Sequence, residues 1–129
     1  MKKIFNYKEI TIPSRIPSKK NSKRIIQVHG RPIIISSKDY LDWEKDALVY
    51  LKGIKINGKI EGIVIKIFAD SKRKSDLTNK AESIMDALVK AEVIEDDNWF
   101  VVPELLLKFG GVDKENPRAE IVIKSIDNS

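Results

Sequence analysis

Cysteine is absent from this chain and histidine occurs once, at His29. These absences exclude disulfides, thiol nucleophiles and zinc–thiolate sites, and leave His29 reading as a turn residue rather than a catalyst. No apolar run approaches the roughly 20 residues that a membrane span requires. Met1-Lys2-Lys3 leads into Asn6, Lys8 and Glu9 rather than an apolar signal core. The expectation is an unexported, cytoplasmic protein with no membrane association. Internal repeats and low-complexity tracts are also missing. The 129 residues, 42% apolar, suffice for one hydrophobic core, so a single domain over residues 1–129 is expected.

Acids are scarce in one part of the chain only. Residues 1 to 38 hold ten Lys and Arg against one acid, Glu9, a local balance of +9. Residues 39 to 129 hold fourteen against eighteen, a balance of −4. A basic arm that gathers phosphates, joined to an acidic centre that acts through a cation, fits this asymmetry. A Lys-rich segment serving only as solubilising surface fits it too, so charge alone does not decide.

Periodicity alternates between strand and helix. Ile4 to Ile12 reads as a first strand, ended by Pro13 to Pro17, because proline cannot donate to a sheet ladder. A basic connection, Ser18-Lys19-Lys20-Asn21-Ser22-Lys23-Arg24, follows. Ile25 to Val28 and Pro32 to Ile35 flank His29-Gly30-Arg31 as a hairpin or tight return. Ser36 and Ser37 offer N-cap oxygens for a helix over Lys38 to Leu51, whose stripe of Tyr40, Trp43, Ala47 and Leu51 is expected in the core. Gly53 to Gly62 reads as a loop and Ile63 to Asp70 as a central strand with both faces covered. After the basic loop Ser71-Lys72-Arg73-Lys74-Ser75 comes a second helix, Thr78 to Lys90. Two last strands, Phe100 to Phe109 and Ala119 to Ile126, are separated by a turn-forming stretch with Gly110-Gly111 and Asn116-Pro117. The class that results is α+β: a mixed sheet of five or six strands packed by two main helices.

Oxygen ligands crowd the second helix. At 100° per residue, Leu77, Ala81, Ile84, Met85 and Leu88 share one side, while Asn79, Glu82 and Asp86 share the opposite one. Asp76 precedes the first turn, where its carboxylate can cap free N–H groups or turn toward a metal. Glu95-Asp96-Asp97 closes the segment. Carboxylates gathered this densely repel one another unless a proton or cation sits among them, and hard oxygen donors suit a hard divalent ion. In a basic protein this pattern points to metal-assisted phosphodiester chemistry on nucleic acid. Phosphate contacts are expected from Lys19, Lys20, Asn21, Lys23 and Arg24 in the arm and from Lys72, Arg73 and Lys74 in the loop. Trp99 and Phe100 could stack on an unpaired base, although aromatics that open a strand are more often core.

The order of a basic loop, Asp76-Leu77-Thr78-Asn79, Asp86-Ala87-Leu88 and Val93-Ile94-Glu95-Asp96-Asp97, with Ile16-Pro17-Ser18-Lys19-Lys20-Asn21 upstream, resembles the RusA family of Holliday-junction resolvases. The resemblance runs from Ile12 to Ile126 and implies a small, homodimeric, magnesium-dependent endonuclease of bacteria or their phages, with manganese as a possible substitute, branched DNA as partner and no small-molecule cofactor. Asp76 and Asp97 match the family's first and last catalytic aspartates, and Asn79 the asparagine after its acidic motif. Thr78 stands where the family has its second catalytic aspartate, and Glu82 where it has a lysine. Thr78 offers only a neutral oxygen, and Glu82, one turn on, can restore the missing charge. The implied catalytic set is therefore Asp76, Asn79, Glu82 and Asp97. Asp76, Glu82 and Asp97 are the expected metal ligands, with Asp86 orienting or joining them, and Lys74 or Lys80 stands in for the absent lysine. Two other readings stay open: a RusA-like DNA-binding protein whose chemistry is lost through Thr78 and Glu82, and a small RNA-binding or assembly module whose acids are merely surface.

Overall fold

In a computed structural model, which describes residues 2–19 and 23–128, six strands and two helices form an α+β fold. Strand β1 (Lys3–Ile12) is followed by the hairpin β2 (Lys23–Val28) and β3 (Arg31–Ser36), helix α1 (Lys38–Leu51), β4 (Lys59–Ala69), α2 (Leu77–Lys90), β5 (Leu105–Val112) and β6 (Arg118–Asn128). Four strands make a mixed sheet in the order β1-β6-β4-β5, while β2 and β3 make a sheet of their own. The six expected strands are thus split between two sheets. Only β4 and β5 run parallel, and α2 lies in the connection between them, as a parallel pair requires.

Local sequence explains most of these elements. The hairpin turns on His29 and Gly30, at φ 52° and 75°, the pair of left-handed residues that a two-residue connection needs to match strand twist. Ser37 caps α1 by accepting the Tyr40 N–H at 3.2 Å. In the main sheet the register pairs Ile10 with Ile121 and Ile12 with Ala119, and sets Ile63, Ile65 and Ile67 beside Ile123, Ile121 and Ala119. All of these are buried on one face, against Ala47 and Leu51 of α1 and Ile84, Met85, Ala87 and Leu88 of α2. Burial of these methyl-rich side chains, about 1.5–3 kcal/mol for each large one, holds the layers together.

Three expectations are corrected. Strand β4 starts at Lys59, inside the predicted Gly53–Gly62 loop, because Ile60 is buried and its neighbours pair with β6 across an irregularity before Gly62. Only one face of β4 is covered: Val64, Lys66 and Phe68 alternate with the buried isoleucines and remain half-buried. Arg118 lies 3.8 Å above the Phe68 ring, so cations partly stand in for a second helix layer on that face. Finally, Phe100 does not open a strand. Asn98 Oδ1 accepts the N–H groups of Phe100 and Val101, holding residues 98–101 in a turn, and β5 instead runs on through Gly110-Gly111 to Val112. Gly110 fits there because a Cβ would lie 2.7 Å from the Phe68 ring, and Gly111 because its φ is +118°.

Gly58 has φ +82°, and a Cβ there would stand 2.2 Å from the Ile126 carbonyl oxygen. Gly58→Ala must move backbone as well as adopt a left-handed conformation. The expected loss is at least about 2 kcal/mol in urea unfolding, seen as a lower midpoint at unchanged slope.

Candidate nucleic-acid interface and metal-binding residues

The segment after β1 is laid along α2 and fastened there by side chains one helical turn apart. Its prolines and extended backbone leave carbonyls without a ladder partner, and buried carbonyls need donors. Lys80 Nζ donates to the Ile16 carbonyl at 2.6 Å, and Ser83 Oγ donates to the Pro17 carbonyl at 2.7 Å. Ser83 Oγ also accepts the Lys19 N–H at 3.0 Å, and the Lys19 ammonium pairs with the Asp86 carboxylate. Residues 80, 83 and 86 follow an i, i+3 row of the helix, so the strap crosses its surface along that inclined row. Ile16, Pro17 and Ser18 are buried under this fastening. On the other side Trp43 Nε1 donates to Ser14 Oγ at 3.0 Å.

This clamp assigns work to residues predicted for other tasks. Lys19, expected on phosphate, and Asp86, expected near a metal, neutralise one another, and the Asp86 hydrogen bond raises the Lys19 ammonium above the usual lysine range. Lys80, conjectured as a free catalytic cation, holds the Ile16 carbonyl instead. Burial, reinforced by the nearby Arg15 and Arg73 charges, lowers its pKa. Lys20 and Asn21 lie outside the described residues. Lys23, Arg24, Lys72, Arg73 and Lys74 are all exposed.

Beside the strap, where β4 ends and α2 begins, lies a cavity of about 240 Å³ lined by Arg15, Asp70, Arg73, Lys74 and Lys80. Asp70 is paired with Arg15 at 3.7 Å, so one acid faces four cations. A neighbouring hollow shares Arg73, Lys74 and Lys80 with it and adds Lys72 and Asp76. Such a cleft attracts phosphate, with one carboxylate at its lip. Asp76 occupies the N-cap position of α2 at φ −80° and ψ 126°, yet its side chain makes no capping bond. It accepts a hydrogen bond from Asn79 Nδ2 at 3.3 Å instead, leaving carboxylate lone pairs for another ligand.

The far end of α2 aims the second acidic group. Glu92 adopts φ 60°, its N–H donates to the Val89 carbonyl, and the Val93 N–H donates to the Leu88 carbonyl at 3.0 Å. This Schellman closure satisfies the last helical carbonyls and drops Val93 and Ile94 into the core. Glu95, Asp96 and Asp97 then emerge exposed. Asp96 accepts the Asp97 N–H at 2.7 Å and Asn98 Nδ2 at 2.9 Å, which lower its pKa below the usual carboxylate range. Asp96 therefore builds the loop and Asp97 projects from it. Trp99 and Phe100 are 77% and 80% exposed, ring centroids 6.2 Å apart, which overturns the core expectation for them.

Thr78 and Glu82 stand exposed on α2. Among the described residues, no three His, Cys, Asp or Glu side chains are gathered closely enough to form a metal cage. Asp76 lines the basic cleft, whereas Asp97 lines a shallow hollow with Trp99 and Phe100. Sequence reasoning missed Arg15, hidden among prolines, and Ser83. Ser83 lies on the polar side of α2 with Asn79 and Asp86, so nothing in the sequence pattern signalled its burial.

Two stability changes follow. Ser83→Ala leaves the buried Pro17 carbonyl and Lys19 N–H short of a partner, and is expected to cost about 1–3 kcal/mol and to speed proteolysis of the strap. Glu92→Gly relieves a left-handed non-glycine residue and should stabilise the fold by about 1 kcal/mol, raising the urea midpoint.

Comparison with known proteins bears on the family of the chain. No curated protein matches it. The family model described as endodeoxyribonuclease RusA matches residues 17–124, a span that takes in the strap from Pro17, the basic loop, both acidic groups and the whole of α2. The chain belongs to the RusA family of endodeoxyribonucleases, whose activity is Holliday-junction resolution.

Proposed function

We propose that this chain is an active, magnesium-dependent endodeoxyribonuclease that cuts branched DNA, with manganese able to replace magnesium. The observation that carries the reading is Asp76: a carboxylate at a helix N-terminus, free of capping, on the lip of a cleft with four cations. The donor set fits the ion. Magnesium is commonly held by one or two carboxylates and completes its shell with water and substrate phosphate, so a closed cage of three acids is not needed beforehand. Asp76 would hold it from the lip of the cleft, and Asp97, carried on the loop beyond α2, would have to close on the same ion, with Glu82 supplying the charge that Thr78 lacks. When bound, magnesium activates water and stabilises the charge that develops on the phosphoryl group and the leaving 3′ oxygen.

The chain's own residues perform the remaining tasks. Asn79, donating to Asp76, fixes the carboxylate's orientation. Lys72, Arg73 and Lys74, with the exposed Arg15 across the cleft's lining, seat the phosphate backbone without reading bases, which suits recognition of a shape. Asp86, paired with Lys19, acts by keeping the strap in place. Trp99 and Phe100, exposed beside Asp97, offer a stacking surface for a base unpaired at the branch. A four-way junction is two-fold symmetric, so a homodimer with two sites would make the paired cuts that leave ligatable ends.

Cleavage of a synthetic four-way junction in magnesium tests the reading. Asp76→Asn and Asp97→Asn should each cut at least about 100-fold more slowly while still binding the junction. Binding by the wild type without cleavage in magnesium or manganese would instead favour the chemically impaired DNA-binding reading. Calorimetric titration with manganese should show a stoichiometric site that Asp97→Asn removes; absence of any site would reduce the acids to surface charge.

A further inference from the structure

The hairpin of β2 and β3 is unlike the rest of the molecule, because its apolar side chains have no core to enter. Among the described residues it packs with itself and makes no substantial contact with the main sheet or either helix. Its register sets Ile25 opposite Ile34 and Ile26 opposite Ile33. Ile25 and Ile34 are each 68% exposed, on one face, while Ile33 and Val28 are exposed on the other. A two-stranded ribbon is marginal by itself in water, and one apolar on both sides is a surface that lacks its partner.

Charge identifies that partner. The hairpin carries Lys23, Arg24 and Arg31 and no acid; indeed the chain has none between Glu9 and Asp39. A second copy docked symmetrically on the same face would set like charges against each other, whereas a polyanion would not. Dimensions agree: six residues per strand span roughly 20 Å, and two paired strands fit a major groove about 12 Å wide. The hairpin is also rooted beside the cleft. Lys23 at its base shares a hollow with Arg15 and Pro17, Arg15 lines the basic cleft as well, and β3 passes through the Ser37 cap directly into α1.

We propose that the β2–β3 hairpin is a DNA-binding arm that lies in a groove of the duplex flanking the cleft. Ile25 and Ile34, with Lys23 on their face, rest against sugars and base edges, while Arg24 and Arg31, which leave the ribbon on the opposite face, reach the flanking phosphates with their long side chains. The inference depends on the DNA-binding reading above and extends the interface beyond the cleft.

Because the chain has no cysteine, Ile34→Cys creates a unique thiol, and Val49→Cys, at a position on α1 that is 74% exposed, gives a control. Maleimide labelling is followed with and without a 40-base-pair duplex and a four-way junction, with DNA binding by the wild type measured in parallel. The expected result is labelling at position 34 slowed at least tenfold by DNA and unchanged at 49. Arg24→Ala combined with Arg31→Ala should weaken binding and reduce the slope of log affinity against log salt by about 1.8. If the wild type binds DNA while position 34 labels equally fast, the arm is overturned and the nuclease reading stands. If the wild type does not bind DNA, both fall. Protection at position 34 that needs no DNA and grows with protein concentration would assign the hairpin to a second copy of the chain and overturn the proposal.

Discussion

The fastening of the proline-containing strap to α2 is the constraint on which the rest of the structure depends. Three side chains on one i, i+3 row of the helix, Lys80, Ser83 and Asp86, satisfy two backbone carbonyls, one N–H and one ammonium in residues 16–19. These groups have no sheet or helix to serve them, and leaving buried ones unpaired would cost about 1–3 kcal/mol each. The fastening sets the root of the β2–β3 hairpin on one side and one wall of the basic cleft on the other. A segment with no regular secondary structure thereby joins the two surfaces best suited to phosphate.

Helix α2 carries the candidate chemistry at both of its ends, for different physical reasons. At its start the N-cap position holds Asp76, whose carboxylate is turned to Asn79 rather than to the helix amides. At its finish a Schellman closure through a left-handed Glu92 reverses the chain and buries Val93 and Ile94, so that Asp97 is carried outward on a loop built by Asp96 and Asn98. A left-handed conformation costs an L-residue about 1–2 kcal/mol, and the buried pair that follows offsets it. Strain at the exit of the helix is thus tied to where the second aspartate stands.

Electrostatics divides the work among residues that look alike in one dimension. Lys19 and Lys80 are neighbours of phosphate-seeking residues, but one is neutralised by Asp86 and the other is half-buried, near Arg15 and Arg73, and bonded to the Ile16 carbonyl. Lys72, Arg73 and Lys74 remain in solvent, where charge is available to a polyanion. Of the acids, Asp86 is matched by an internal cation and Asp96 by internal amides, whereas Asp76 meets only the Asn79 amide and Asp97 stands exposed.

The sequence by itself determined the elements whose signal is local. Helix α1 lies where Ser37 and the Tyr40, Ala47 and Leu51 stripe put it, the hairpin turns at His29-Gly30, and α2 and β6 fall within a residue or two of their periodic patterns, because caps, turns and apolar spacing act over a few residues. The residue order around Asp76 and Asp97 was likewise enough to bring out the family. Tertiary structure alone decided that β2 and β3 stand apart from the main sheet, that Trp99 and Phe100 face solvent, and that Lys19, Lys80 and Asp86 serve the strap. Each of these depends on which partner lies across a gap of many residues, 67 in the case of Lys19 and Asp86. Charge and hydropathy are properties of single positions, but whether a charge is spent or free is a property of the pair, and pairs are made only when the chain closes on itself.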